Sequence, residues 1–325
     1  MQGFSIIIGQ PGAVGALKSA IDTSKIVHCY LFTGPRGIGK RLTASIFARA
    51  LNCEGSYSKP CDYCLPCQKA LHQNHPDIIF LKPDGISLKI EQVRALKKMA
   101  YTRVYEGQYK VFIIEDMHKA TVQANNSLLK ILEEPPENSV FILLSENPQA
   151  MPATIVSRCQ RVNFAPLEKS SISEILLQKG YPLEKAQLAA NLAFGSLGQA
   201  LRFIDNEQLM VTRRIASEFL QGALSNNHYR TYKIIETLEK DKVDVGQLLE
   251  QILVILRDIY FYTKSKSGDI IVNLDMLSVF QSLAVGEQNI KRAMEMVSEA
   301  SEFQRKQANS KILLEVLGCR LTKLA

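Results

Sequence analysis

The run Gly34-Pro35-Arg36-Gly37-Ile38-Gly39-Lys40 sets a glycine, four residues, a second glycine and a lysine in a row. That spacing lets successive backbone N–H groups turn inward onto phosphate oxygens, while the lysine adds a mobile positive charge. The next position ordinarily carries a hydroxyl that holds Mg²⁺. Here it is Arg41. The residues Gly34, Pro35, Arg36, Gly37, Ile38, Gly39, Lys40 and Arg41 are therefore the candidate site for ATP or ADP, poorly equipped for hydrolysis. Two roles are open for the arginines: Arg36 and Arg41 could neutralise phosphate charge, or Arg41 could fill the space of the metal.

A second acidic element follows. Val111-Phe112-Ile113-Ile114 is unbroken apolar and ends in Glu115-Asp116. An Asp at such a strand end can hold a metal through water, and a following Glu can position an attacking water. The order here is reversed, so both side chains are the wrong length for those tasks. The alternative reading is two solvated acids. Further on, Ser157-Arg158-Cys159 offers a guanidinium that could stabilise charge on a transferring phosphate, or simply a surface arginine.

Four of the seven cysteines fall together as Cys53, Cys61, Cys64 and Cys67. Four thiolates this close can close a tetrahedral Zn²⁺ site with no open position, which makes the metal structural. An iron–sulfur cluster is the rival, and nothing else in the sequence points to redox work. Pro60 and Pro66 are expected to break regular structure around the knuckle. Cys29, Cys159 and Cys319 read as single buried residues.

The elements that must position these groups come from periodicity. The 325 residues suffice for two or three domains, with 46% hydrophobic and 22% charged residues, an ordinary globular composition. No run of eighteen apolar residues predicts a membrane span, and the start of the chain has no secretory pattern, so the cytoplasm is the default. A net charge of +7 fits either nucleic-acid contact or a lysine-rich solvated surface. Residues 30–33, 77–81, 111–114, 140–144 and 161–164 read as strands, with helices at 42–51, 90–99 and 127–133 between them. Leu42, Ile46, Ala50 and Leu51 are the expected apolar face of the helix after the loop. Strand–helix alternation with a phosphate loop after the first strand predicts a doubly wound parallel α/β domain. Beyond Pro166 the pattern is helical: 171–179, 183–194 and 198–204, then longer segments at 208–221, 228–240, 245–263, 274–283, 290–300 and 309–324, with an exposed loop at 264–268.

Several motifs at these separations together resemble the AAA+ clamp-loader family: Ile8-Gly9-Gln10, His28-Cys29-Tyr30-Leu31-Phe32, the glycine loop, the four cysteines, Leu128-Leu129-Lys130-Ile131-Leu132-Glu133-Glu134-Pro135-Pro136, and Thr154-Ile155-Val156-Ser157-Arg158-Cys159. The motifs span residues 1 to about 205, and the remainder agrees only in length and helicity. The resemblance implies a RecA-like AAA+ domain at 1–165 with a zinc module at 53–67, a small helical lid at 166–206 and an all-α collar at 207–325. It implies membership of a heteropentamer with motor (tau/gamma) and delta subunits, acting on a sliding β-clamp and primed DNA as part of a polymerase holoenzyme. It also implies that Arg158 is a trans arginine finger for ATP held by a neighbour.

The departures from the family pattern are equally specific. Gly198 stands where a sensor arginine is expected, and Ser145-Glu146-Asn147-Pro148 lacks the usual paired threonines. With the missing hydroxyl and transposed acids, these losses favour a non-hydrolysing member. The alternatives are an independently active ATPase, in which Thr43 or water replaces the hydroxyl, and a zinc-based nucleic-acid module, for which Lys59 is the only base in the knuckle.

Overall fold

A computed structural model describes residues 3–55, 58–240, 243–265, 271–283 and 285–324. The chain folds as two units, one of residues 1–168 with 195–198 and the other of 169–194 with 199–325.

In the first unit the elements run α1 (Pro11–Asp22), β1 (Cys29–Thr33), α2 (Lys40–Leu51), α3 (Leu65–Leu71), β2 (Ile78–Leu81), α4 (Ile90–Ala100), β3 (Lys110–Ile114), α5 (Val122–Glu133), β4 (Ser139–Ser145), α6 (Ala153–Val156) and β5 (Gln160–Asn163). The five strands form one parallel sheet in the order β2-β3-β4-β1-β5. β1, β3 and β4 are buried along their whole length, as strands covered on both faces must be. Alternation sends Tyr30, Phe32, Val111, Ile113, Val140 and Ile142 toward α1 and α2, with the Tyr30 ring edge-on to Phe47 at 5.0 Å. Cys29, Leu31, Phe112, Ile114, Phe141 and Leu143 face α4, α5 and α6, where Phe112 stacks on Phe141 at 5.1 Å. This is the parallel α/β sheet the alternation predicts.

Three details differ from the sequence reading. Leu42 is 46% exposed, because α2 buries Thr43, Ala44, Ile46 and Phe47 instead. Pro66 does not break structure; it sits in the first turn of α3, where proline forgoes only a hydrogen bond that has no intrahelical partner. Asp77 lies just before β2, not in it. It is fully buried and accepts N–H bonds from Tyr105, Glu106 and Gly107 at 2.9 Å each, which fixes the approach to β3.

The second unit is helical: α7 (Lys169–Gln178), α8 (Leu183–Leu192), α9 (Leu197–Asp205, whose first two residues group with the first unit), α10 (Glu207–Leu224), α11 (His228–Lys240), α12 (Val245–Ser265), α13 (Leu277–Ser282), α14 (Glu287–Arg305) and α15 (Ser310–Thr322). The expected helix at 274–283 is a 3-10 turn at Leu274–Met276 followed by α13. The expected loop at 264–268 starts inside α12, and its remainder lies outside the described residues. One apolar core joins α10 through α15, including Phe219, Leu248, Ile252, Leu256, Phe280 and Val297. A polar knot sits beside it. Asp258, fully buried, accepts from the backbone N–H groups of Val272 and Asn273 and from Arg257, and Arg213 is shared between Asn273 and Asp275.

Candidate functional site

The glycine loop joins the carboxyl end of β1 to the start of α2, the place where a parallel sheet presents its ligand crevice. Gly34, Gly37 and Gly39 all have positive φ, and Gly39 is the N-cap of α2. A side chain at Gly34 would meet the Phe164 carbonyl oxygen at 2.6 Å. Lys40 is buried, and its Nζ donates to the carbonyls of Gly34 at 2.6 Å and Pro35 at 2.8 Å. Burial lowers its pKa from the ordinary lysine value, against the opposing pull of Glu146 and Asp116.

Arg41 answers the question its position raises. Its Nε lies 2.8 Å from Glu115 Oε1, and its guanidinium packs 5.3 Å from the Phe80 ring. The other strand-end acid, Asp116, pairs with Lys119 at 2.7 Å. A cationic side chain thus faces the acid where a divalent ion would need a hydroxyl and a carboxylate. The donor set does not fit Mg²⁺. Thr43 offers no substitute, since it is fully buried and its hydroxyl donates to Gly39 O at 3.0 Å.

Gly198 closes against the same loop. Its N–H donates to Gly37 O at 3.1 Å, and a side chain there would come within 2.6 Å of that oxygen. The position where the family pattern calls for an arginine has no room for one in this arrangement. Gln10 also reaches across the unit, donating to Ala165 O at 2.7 Å and accepting from Ala165 N at 3.0 Å. Neither the Gly37–Gly198 contact nor the Arg41–Glu115 pair is visible in the sequence. The only signal for the latter is that the hydroxyl and the usual acid order are missing together.

The four cysteine sulfurs lie within 4.8 Å of one another, with Cys53, Cys61 and Cys67 buried and Cys64 half-buried. Cys61 to Cys67 and Cys64 to Cys53 are each 4.0 Å apart. Tetrahedral zinc with bonds of about 2.3 Å spaces its sulfurs about 3.8 Å apart, so this all-sulfur set fits the ion. Gly55 N and Cys61 N both donate to Cys53 Sγ at 3.3 Å, the kind of bond that stabilises a thiolate. Burial pushes the Cys61 thiol up, but N–H donors from Cys64 and Tyr63 bring it down to about 6. Burial raises Cys67. Gly55 is required here: a Cβ would sit 2.7 Å from that of Cys61.

Arg158 follows α6 and is exposed. Its Nη1 donates to Thr154 O at 2.8 Å and its Nη2 to Glu133 Oε1 at 2.9 Å. Glu133 belongs to the Leu-Glu-Glu-Pro-Pro run, so the fold brings those two motifs together. These bonds do not join Arg158 to the glycine loop. An exposed guanidinium held by one carbonyl and one solvent-facing carboxylate can exchange that carboxylate for a phosphate at low cost.

Residues 9–168 match the family model described as DNA polymerase III, delta subunit. The DNA polymerase III subunit delta' of Bacillus subtilis is 28% identical over 312 residues, covering 95% of this chain and 94% of that protein. The tau subunit of the same organism is 31% identical over 288 residues, covering 80% of this chain and 50% of its own length. The Escherichia coli tau subunit is 35% identical over 212 residues. The chain thus spans nearly all of the delta' relative but half or less of these tau relatives. Among solved structures, a gamma subunit-related protein of Thermotoga maritima aligns at 16% identity with a TM-score of 0.49, over 95% of this chain and 99% of that one.

Proposed function

Residues 9–168 match the family model described as DNA polymerase III, delta subunit, and from that match we propose that the chain is the delta-prime scaffold of a clamp loader, which does not hydrolyse ATP itself. The observation that carries this reading is the Arg41–Glu115 ion pair. Hydrolysis in a phosphate-loop site needs a divalent ion bridging phosphates, a hydroxyl and a strand-end carboxylate. In this chain a guanidinium holds the carboxylate and no hydroxyl follows the lysine.

What remains is positioning. Arg158, exposed beside Glu133, reaches in trans to the ATP of an adjacent motor subunit and stabilises charge on the departing phosphate. Glycines 34, 37 and 39 with Lys40 retain the capacity to cradle a triphosphate, so any nucleotide held here is held without Mg²⁺. Zinc on Cys53, Cys61, Cys64 and Cys67 keeps the knuckle folded and takes no part in chemistry. Residues 166–206 form the lid and 207–325 the collar; an apolar core drawn from residues beyond 210 supports that division. The partners in this reading are motor (tau/gamma) and delta subunits, with the β-clamp and primed DNA met through the assembly in the cytoplasm.

The test is reconstitution with the motor and delta subunits of the same source. The purified chain turns over no ATP, and Arg158→Ala leaves assembly intact while lowering DNA-stimulated ATPase of the complex by about tenfold or more. Unchanged ATPase and clamp loading by that variant would remove the trans role. Turnover by the isolated chain, abolished by Lys40→Ala, would establish the independent ATPase instead.

A further inference from the structure

Two cysteines outside the metal knuckle meet across the sheet. β1 and β5 are parallel neighbours with Tyr30 opposite Gln160 and Leu31 opposite Arg161. One step back along that register sets Cys29 opposite Cys159. Adjacent strands lie about 4.8 Å apart, inside the window of about 4.4–6.8 Å between Cα atoms that a disulfide spans. Both side chains point to the same face: Cys29 is part of the apolar cluster with Leu31, Phe112 and Ile155, and Cys159 packs against it. Their sulfurs are 2.8 Å apart, between residues 130 positions apart in sequence.

We propose that Cys29 and Cys159 form a modification site, a thiol pair that a hydroperoxide converts to a disulfide immediately beside Arg158. The two cysteines have different roles. Cys159 is half-buried and meets the oxidant, whereas Cys29 is fully buried and can reach only its neighbour. Cys159 Sγ donates to Ile155 O at 3.2 Å, which leaves Cys29 to donate its proton to Cys159 Sγ. That bond, with burial, holds the Cys29 thiol well above the ordinary cysteine pKa, so it is not the first nucleophile.

In the first step Cys159 sulfur attacks one peroxide oxygen. The O–O bond breaks, the departing oxygen takes the thiol proton and leaves as water or alcohol, and Cys159 becomes a sulfenic acid. In the second, Cys29 sulfur attacks Cys159 Sγ, the S–O bond breaks, and hydroxide leaves with the Cys29 proton as water. Two thiols have lost two protons and two electrons, and the peroxide has been reduced. The product pins the backbone just after Arg158 to β1.

The full-length, zinc-loaded chain is treated with hydrogen peroxide, its remaining thiols are alkylated, and its peptides are mapped by mass spectrometry. The expected result is a cross-linked peptide joining Cys29 to Cys159, reversed by dithiothreitol and absent from Cys29→Ala and Cys159→Ala. In Cys29→Ala, Cys159 accumulates as a sulfenic acid that dimedone traps. The oxidised wild-type chain melts about 4 °C or more above the reduced chain, and Cys29→Ala shows no such rise. Dimedone-labelled Cys159 in the wild type with Cys29 alkylated as a free thiol would overturn the pair. An unmodified Cys159 after oxidation of the exposed Cys319 would overturn it equally.

Discussion

Arg49 on α2 and Asp62 in the cysteine knuckle form a buried ion pair, with Nη2 2.9 Å from Oδ1 and both side chains less than a tenth exposed. Asp62 Oδ2 also accepts the Gly3 N–H at 2.7 Å. The knuckle is thereby fastened to the helix that opens at Lys40 and to the start of the chain. Removing one partner of a buried pair strands the other charge in a low dielectric. Asp62→Ala should destabilise the first unit by about 3 kcal/mol in denaturant unfolding. The double variant Arg49→Met with Asp62→Leu should recover a large part of that loss, and no recovery would show that the pair is not the cause.

The knuckle itself should depend on its ion. Native mass spectrometry of the purified chain should find one zinc per molecule, and Cys61→Ser or Cys67→Ser should lose it. Chelation should expose residues 53–71 to protease while the sheet stays protected. An iron–sulfur absorbance in the visible range would instead identify the rival occupant.

Asp77 supplies an acid-sensitive point. Its burial raises the carboxyl pKa, but three backbone N–H donors outweigh that and hold it below the ordinary 3.8. The folded pKa is the lower one, so the contribution is complete above about pH 3.8 and is lost as pH falls through the folded value. Protection of the amides of residues 105–107, measured against the intrinsic exchange rate at each pH, should therefore fall below about pH 3.8 in the wild type. In Asp77→Ala that protection should already be low at neutral pH.

Arg41 predicts a metal-insensitive ligand equilibrium. Calorimetric ATP affinity should agree within about twofold with Mg²⁺ and with a chelator present. Arg41→Thr, which restores the hydroxyl and frees Glu115, should make binding depend on Mg²⁺ while turnover stays at background, since Glu115 and Asp116 remain transposed. A wild-type affinity that collapses on chelation would contradict the role given to the Arg41–Glu115 pair.

Gly198 predicts a steric outcome. Any Cβ there must displace the Gly37 carbonyl, which a shift of either backbone would cost about 1–3 kcal/mol. Gly198→Arg, the residue of the family pattern, should lower the melting temperature and confer no ATPase. A stable, active Gly198→Arg variant would show that the contact yields without penalty.

The phosphate loop and the cysteine knuckle were legible in the sequence because each is local chemistry. A nest of inward N–H groups needs glycines at fixed short spacing, and a four-thiolate site needs its cysteines within one turn-rich segment. Buried parallel strands announce themselves as unbroken apolar runs, and the helical second unit as sustained amphipathic periods. Short helices were less legible: α3 hides behind Pro66, whose placement in a first turn looks the same in sequence as a break.

The pairings at the site join residues distant in the chain, and only the folded sheet order β2-β3-β4-β1-β5 with its covering helices brings them together. It carries Glu115 at the end of β3 to Arg41 at the start of α2, and Cys159 to Cys29 across β1 and β5. The return of the chain at Gly198 lays its backbone on Gly37. Residue types fixed which groups could take part; which of them neutralise one another was decided by where α2 lies against the ends of the strands, because a one-dimensional pattern carries spacing along the chain and not distance across it.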